Sequence, residues 1–417
     1  MMSARHVERR ITAAVTTALT WSPVVAITGA RTAGKSTLAR EITARYGGSF
    51  VDLDVPAVRQ LAAADPTSFV HDRPEPVVID EFQRVPDLLS AIKAELNQDR
   101  RPGRFVVAGS ARHEAVPQLA DYLTGRVTLV PLWPFAEAEL EAGSRSIVDR
   151  LFEGERLRRP TSAMSRTAIV DLVLRGGYPI AVGLPTAARD SWFADLAGLV
   201  VERITDDVRD VRDVGELRRF LRLTAATTSQ TRNAAEIGRE LGIGREQARN
   251  HLRLLDLVYL TIELPAWSTN LGSRVTKRPK LHLVDSGLAA HLQGLTADRL
   301  AATDPSGASS FGALLETFVV TEVVKQLGWS SIAARPHHFR TADGIEVDLV
   351  LEAPDGRIVA IEVKAAPGLP SGTTRGLAHL RDRLGDRFVA GLVLNTGGDA
   401  QAIGDRLAVA PISALWS

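Results

Sequence analysis

The chain has 417 residues, 45% hydrophobic and 24% charged, enough for roughly two to three domains with ordinary cores. Its net charge of +1 excludes a whole-molecule pull towards nucleic acid or an acidic membrane, so any such contact must come from a local patch. It contains no cysteine, which excludes disulfides, thiolate metal sites and cysteine nucleophiles and fits a reducing, cytoplasmic setting.

Residues 1–20 are polar and amphipathic without a secretory apolar core, and no apolar run reaches the ~18 residues of a membrane span. The expectation is a leading helix against the next domain, and no membrane. Val24-Val25-Ala26-Ile27 is long enough for one buried strand. Gly29-Ala30-Arg31-Thr32-Ala33-Gly34-Lys35-Ser36 then fits G-x-x-x-x-G-K-[ST], and the chain continues as a helix from Thr37, with Leu38 and Ile42 four apart. This strand–loop–helix context predicts a phosphate-binding loop running from Gly29 to Thr37. The N–H groups of Gly34, Lys35 and Ser36 would point at phosphate oxygens. Lys35 would reach the β- and γ-phosphates of ATP, and the Ser36 hydroxyl would bind Mg2+.

Pro76-Val77-Val78-Ile79-Asp80-Glu81 is an apolar strand ending in two carboxylates, with Asp80 45 residues after Lys35. Asp80 can enter the Mg2+ shell, and Glu81 can orient or deprotonate the attacking water. A third strand, Arg104 to Ala108, ends in Gly109-Ser110, where the hydroxyl could sense the γ-phosphate. Short strands alternating with helices over residues 21 to about 140 predict a parallel α/β sheet.

Residues 141–230 read as Arg-rich helices, broken by a turn at Gly176-Gly177-Tyr178-Pro179; the mixed charges of 202–216 suit a solvated helix surface. A helix-turn-helix is expected at about 234–256, with Gly242-Ile243-Gly244 as the turn. Ala248, Leu252 and Leu255 would share one face of its second helix and Arg245, Arg249 and Arg253 another; Val258 to Leu264 could form a wing strand. The Arg face suits DNA phosphates or base edges, or equally a solvated surface of a packing module. Arg274, Lys277, Arg278 and Lys280 form a basic run able to meet DNA or nucleotide, or to rim an interface. Residues 302–310 read as a linker.

Glu346 to Glu352 and Arg357 to Lys364 read as two strands joined through Pro354-Asp355-Gly356, which suits a three-residue hairpin loop with Gly in the left-handed region. That loop pairs residues whose numbers sum to 710, bringing Asp348 opposite Glu362, with Lys364 two residues along the same face. Asp348 and Glu362-x-Lys364 resemble the pattern of the PD-(D/E)xK nuclease superfamily. There the carboxylates would hold Mg2+ or Mn2+ and the lysine would stabilise transition-state charge. Glu316, expected at a helix start, could add a carboxylate. The plain alternative is a hairpin with one buried and one charged, solvated face.

The order of these motifs resembles a family of prokaryotic AAA-type ATPases followed by a C-terminal domain of unknown function. The likeness runs from Thr28–Ser36 through Ile79–Pro86, Ala108–Ala111, Leu123–Val127 and the 176–179 turn to Arg278–Leu288 and the final hairpin. It implies ATP as nucleotide, with Lys35, Ser36, Asp80 and Glu81 in the roles above. It also implies Arg126 as an arginine finger, a sensor or a structural Arg, and a restriction-endonuclease-like last domain. The expected parts are a P-loop ATPase core (1–140), a helical connector (141–230), a winged helix-turn-helix (231–300) and a nuclease-like domain (310–417). Two functions compete: an ATPase acting on DNA, and a regulatory nucleotide switch with a protein partner and an inactive C-terminal domain. Self-association stays open.

Overall fold

The computed structural model describes residues 6–110, 122–141, 143, 145–155, 157, 163–207, 213–270, 272, 274, 277–302 and 304–417. Ala111 of the third-strand motif, residues 208–212 of the mixed-charge stretch and Thr303 lie outside them. The chain divides into two compact units: 1–135 with 256–259, and 136–255 with 260–417.

The first unit is built on five parallel strands in the order β2-β3-β4-β1-β5. They are β1 (Val24–Gly29), β2 (Ser49–Asp52), β3 (Val77–Asp80), β4 (Phe105–Gly109) and β5 (Val127–Leu132). A parallel sheet needs cover on both faces, which explains why β1, β3 and β4 are buried at every position and apolar but for Thr28 and Asp80 near their ends. Side chains alternate between the faces. Val24, Ala26, Val77, Ile79, Phe105 and Val107 pack with Leu88, Leu89, Ile92 and Leu96 of the helix Asp87–Gln98. Val25, Ile27, Val78, Val106 and Ala108 pack with Val15 and Ala18 of α1 (Thr12–Ala18) and Leu38, Ala39 and Ile42 of α2 (Lys35–Tyr46). The amphipathic N-terminal segment is therefore a covering helix of the sheet. Each Val, Leu, Ile or Phe among them contributes about 1.5–3 kcal/mol relative to exposure, and each Ala less.

Two polar features tie the unit together. Arg104 is 6% exposed and binds Glu75 at 2.7 Å, Glu95 at 3.0 Å and the carbonyl of Asp99 at 2.8 Å. Tyr259, at φ 62°, brings its hydroxyl to 2.5 Å from Thr28 Oγ1 at the end of β1, and its ring meets Trp133 edge-on at 5.4 Å between centroids.

The second unit holds a six-stranded mixed sheet, order β12-β13-β11-β10-β9-β8, and a two-stranded antiparallel pair, β6-β7. The pair is β6 (Thr261–Leu264) and β7 (Lys280–Leu283); the sheet is β8 (Arg335–Arg340), β9 (Glu346–Glu352), β10 (Ile358–Lys364), β11 (Phe388–Asn395), β12 (Gln401–Gly404) and β13 (Leu407–Pro411). The β9–β10 hairpin has the register expected from its turn: Ile358 pairs with Glu352 and Ile361 with Leu349. Gly356 takes φ 84°, and its N–H donates to the Ala353 carbonyl at 2.9 Å.

Residues 305–310 are not a linker. Asp304 accepts from the N–H groups of Ser306 and Gly307, Pro305 takes the first turn, and a helix runs from Pro305 to Leu327. This is the acidic-cap-plus-proline start signal, which outweighs the Ser/Gly composition. Glu316 consequently sits mid-helix rather than at a start. By length and composition alone this helix could cross a membrane, against the sequence expectation. It is a core element here, packed on β7, β9 and β10 and on the helices Ile147–Phe152, Arg166–Arg175, Ser286–Leu292 and Ala297–Ala301. By joining connector, strand pair and sheet, it makes one body of parts the sequence suggested as separate.

Candidate nucleotide site

β1 delivers the loop against β5 with no room for a side chain: a Cβ on Gly29 would lie 2.1 Å from the Leu132 carbonyl oxygen. Gly34, at φ 99°, turns the chain into α2 in a conformation that suits glycine. No side chain caps α2, so its first-turn N–H groups lack an internal acceptor and face outward, as phosphate binding requires. Ser36 and Thr37 are exposed there; Arg31 is half-buried, and the Thr32 hydroxyl donates to the Arg31 carbonyl at 2.6 Å. Arg9, with no sequence signal to mark it among the other arginines, braces the loop from behind. It donates to the carbonyls of Ala33 (2.9 Å) and Trp133 (2.7 Å) and lies over the Phe135 ring.

Lys35 is 5% exposed and donates to the carbonyls of Gly29 (3.0 Å) and Ala30 (2.8 Å). Burial pulls its pKa down to about 8, against the opposing attraction of Glu81 and Asp80. At the end of β3, Asp80 is 2% exposed, and burial raises its pKa although a hydrogen bond from Ser36 opposes the shift. A buried carboxylate joined to a hydroxyl at an uncapped helix start is a hard-oxygen donor set that fits Mg2+.

Glu81 stands at φ 54°, an unusual conformation for a residue with a side chain. Its carboxylate accepts from Gln83 Nε2 at 2.5 Å and from Ser110 Oγ at 3.3 Å. β4 lies between β1 and β3, so Ser110 emerges beside Glu81. Gly109 allows this approach: a Cβ there would meet the Phe82 ring at 2.6 Å and Gln83 Oε1 at 2.8 Å. Gln83 was in the motif but had no role assigned from sequence. Arg126 is not brought to this site. Its carbonyl accepts from the N–H of Val24, where β1 enters the sheet, and its side chain donates to the Lys93 carbonyl, whereas the loop leaves the opposite end of β1.

In the second unit, helices Ala234–Leu241 and Arg245–Leu257 flank the predicted turn. Asn233 and Glu236 form a reciprocal cap at the first helix, and Gly242 ends it at φ 72°. Gly238 permits a close crossing, since a Cβ there would lie 2.6 Å from that of Ala248. Ala248 and Leu255 are buried, while Arg245, Arg249 and Arg253 are exposed. The basic run beyond does not share a face. Arg274 binds Glu352, Lys277 donates to the Arg340 carbonyl, Arg278 binds Glu236, and Lys280 is 2% exposed.

The C-terminal carboxylates do converge, but around Lys280. Its Nζ lies 2.6 Å from Glu316, 3.0 Å from Glu346 and 3.1 Å from Asp348. The other oxygen of Asp348 accepts from the Val363 N–H at 2.9 Å, and Glu362 accepts from Lys364 Nζ at 2.6 Å. Burial, reinforced by Asp348, raises the pKa of both Glu316 and Glu362. The expected carboxylate pair is thus adjacent as the hairpin register requires, yet most of its oxygens already have partners. The lysine that fills the centre came from a run read as a nucleic-acid contact.

Three family models match in sequence: an AAA domain over residues 22–141, and domains of unknown function DUF8612 over 166–299 and DUF4143 over 311–415. Over 365 residues the chain is 32% identical to uncharacterized proteins of Mycobacterium tuberculosis and Mycobacterium bovis, covering 87% of this chain and 75% of each relative. The chain belongs to their family of AAA-domain ATPases with a C-terminal domain of unknown function. Solved structures overlap this AAA-type ATPase only in part. A Walker-type ATPase of Pyrococcus abyssi aligns at 14% identity and TM-score 0.38, over 70% of this chain and 99% of that one. A DNA replication initiation factor aligns at 14% identity and TM-score 0.25, over 60% and 90%. The nucleotide-binding character therefore comes from the AAA domain match and from the sheet and loop described above.

Proposed function

We propose that this AAA-type protein binds ATP with Mg2+ at the loop 29–37, hydrolyses it, and uses the helix pair 234–257 to hold DNA. The observation that carries the reading is the grouping at the ends of β1, β3 and β4: an uncapped helix start, a buried lysine, a buried Asp80 carboxylate and, next to it, the Glu81 carboxylate held by Gln83 and Ser110.

Phosphate oxygens would take over the Lys35 hydrogen bonds now made to the Gly29 and Ala30 carbonyls, which restores a counter-charge to the buried ammonium. Ser36 and Asp80 would hold Mg2+, which when bound offsets phosphate charge. Glu81 would accept the proton of the water that attacks the γ-phosphorus as the bond to the β–γ bridging oxygen breaks, giving ADP and phosphate. Gln83 and Ser110 keep that carboxylate aimed before ATP arrives.

Turnover and binding measured side by side test this. Glu81→Gln should bind ATP as the parent does and hydrolyse it ~100-fold or more slowly; hydrolysis at the parent rate would sink the role given to Glu81. For DNA, Arg249→Ala with Arg253→Ala should weaken duplex binding and flatten its salt dependence by up to about two in log–log slope. Unchanged binding would favour the second reading, a nucleotide switch with a protein partner. That reading gains support from the lysine-filled carboxylate cluster, which suits a C-terminal domain that does not cleave.

A further inference from the structure

We infer that the ammonium of Lys280 takes the place of a divalent cation in the C-terminal carboxylate cluster, making this a metal-free site closed by the chain's own lysine. The inference is independent of the ATP reading.

Three carboxylate oxygens, from the helix Pro305–Leu327 and from two positions of β9, surround one nitrogen at 2.6–3.1 Å. An ammonium has three N–H bonds; two are met by Glu346 and Asp348 as hydrogen bonds, and Glu316 Oε1 closes the third side as an ion pair at 2.6 Å. Mg2+ would need the same oxygens at about 2.0–2.1 Å and would have to expel the ammonium first, because two cations cannot share that space. Expulsion has no easy route. The Lys280 side chain is 3% exposed, and its backbone is fixed in β7 opposite Leu264 of β6. The remaining donors are also committed: one Asp348 oxygen to the Val363 N–H, and one Glu362 oxygen to Lys364. Two carboxylate oxygens of the cluster, Glu316 Oε1 and Glu362 Oε2, are buried without a hydrogen-bond partner, but the first is already held by the ammonium at 2.6 Å, which leaves too little for a dication while Lys280 stays. Among the described residues no group of His, Cys, Asp and Glu has the geometry to hold a metal ion.

The site is therefore a nuclease-like carboxylate set with an internal cation. It borders an open cleft of about 440 Å³ lined by Glu346, Glu362, Lys364, Thr373 and Arg375. Lys280 is the residue that sets what the cluster accepts.

The test is a titration of the full chain with Mn2+, free of nucleotide, following unbound ion by electron paramagnetic resonance. The parent and Asp348→Asn should show the same binding, with no ion attributable to the cluster. Lys280→Ala should gain one Mn2+, bound at least ~10-fold tighter than anything in the parent, and adding Asp348→Asn should remove it. Lys280→Gln keeps the stem and one donor group and serves where the alanine variant does not fold, with circular dichroism as the check. Mn2+ bound by the parent and lost in Asp348→Asn overturns the inference, and so does a folded Lys280 variant that gains no ion. If neither Lys280 variant folds, the comparison of parent with Asp348→Asn decides alone.

Discussion

The charge on Lys35 should weaken the nucleotide-free fold, and the effect has a defined pH window. An ordinary lysine titrates at 10.5, and this one at about 8 because burial penalises its ammonium. At about 1.4 kcal/mol per pH unit, keeping the charge in the folded protein costs roughly 3 kcal/mol. Below pH 8 both folded and unfolded chains hold the proton, and the penalty is fully present. Between about pH 8 and 10.5 only the unfolded chain holds it, so rising pH favours folding; above that window the penalty is gone. Lys35→Met removes the titration. It also leaves the Gly29 and Ala30 carbonyls without their donor, a loss that does not vary with pH. The informative quantity is thus the stability of the parent minus that of Lys35→Met, from urea unfolding at pH 7.5, 9 and 10.5. That difference should move in favour of the parent by about 3 kcal/mol across the series, with other titrations cancelling. ADP should shrink the movement, since its phosphates supply the missing counter-charge. A difference constant from pH 7.5 to 10.5 would refute the argument that Lys35 is a destabilising charge awaiting phosphate.

Two further outcomes follow from partners of named residues. Arg104→Met should destabilise the first unit by about 2–3 kcal/mol, because the buried Glu95 carboxylate loses one of its two charged partners and keeps only His71 at 2.9 Å, and chemical denaturation would read this directly. Arg9→Ala should lose two hydrogen bonds to backbone carbonyls, lower stability by about 2 kcal/mol and weaken ADP binding, as calorimetry would show; unchanged ADP affinity would mean the loop holds its shape unaided.

Much of this architecture was legible because it follows local rules. The loop 29–36 needs glycines at set places, the strands need apolar runs, and the turn at 354–356 dictates which residues of β9 and β10 face each other. What escaped was tertiary. Nothing near Lys280 announces that it will enter a cluster formed by residues 316, 346 and 348, because that neighbour relation exists only once β7 meets the long helix and β9. Arg9 and Gln83 act through contacts on a backbone and on a carboxylate that no spacing encodes. Arg126 belongs to a motif whose position along the chain does not reveal which end of the sheet it will occupy. The stretch 302–310 misled because composition was weighed above the Asp304-Pro305 start signal.

Tyr259 bears on how this protein comes off the ribosome. The five strands of the first unit are complete by residue 132, but the hydroxyl that meets Thr28 and the ring that meets Trp133 belong to a residue made after the intervening 136–255. The nascent sheet must wait, with Thr28 and Trp133 unpartnered by Tyr259, while 120 residues of the other unit emerge. A fragment ending near residue 140 would remain permanently in that half-built state. Expression of the nucleotide-binding part alone therefore calls for a design that carries 256–259 along with it.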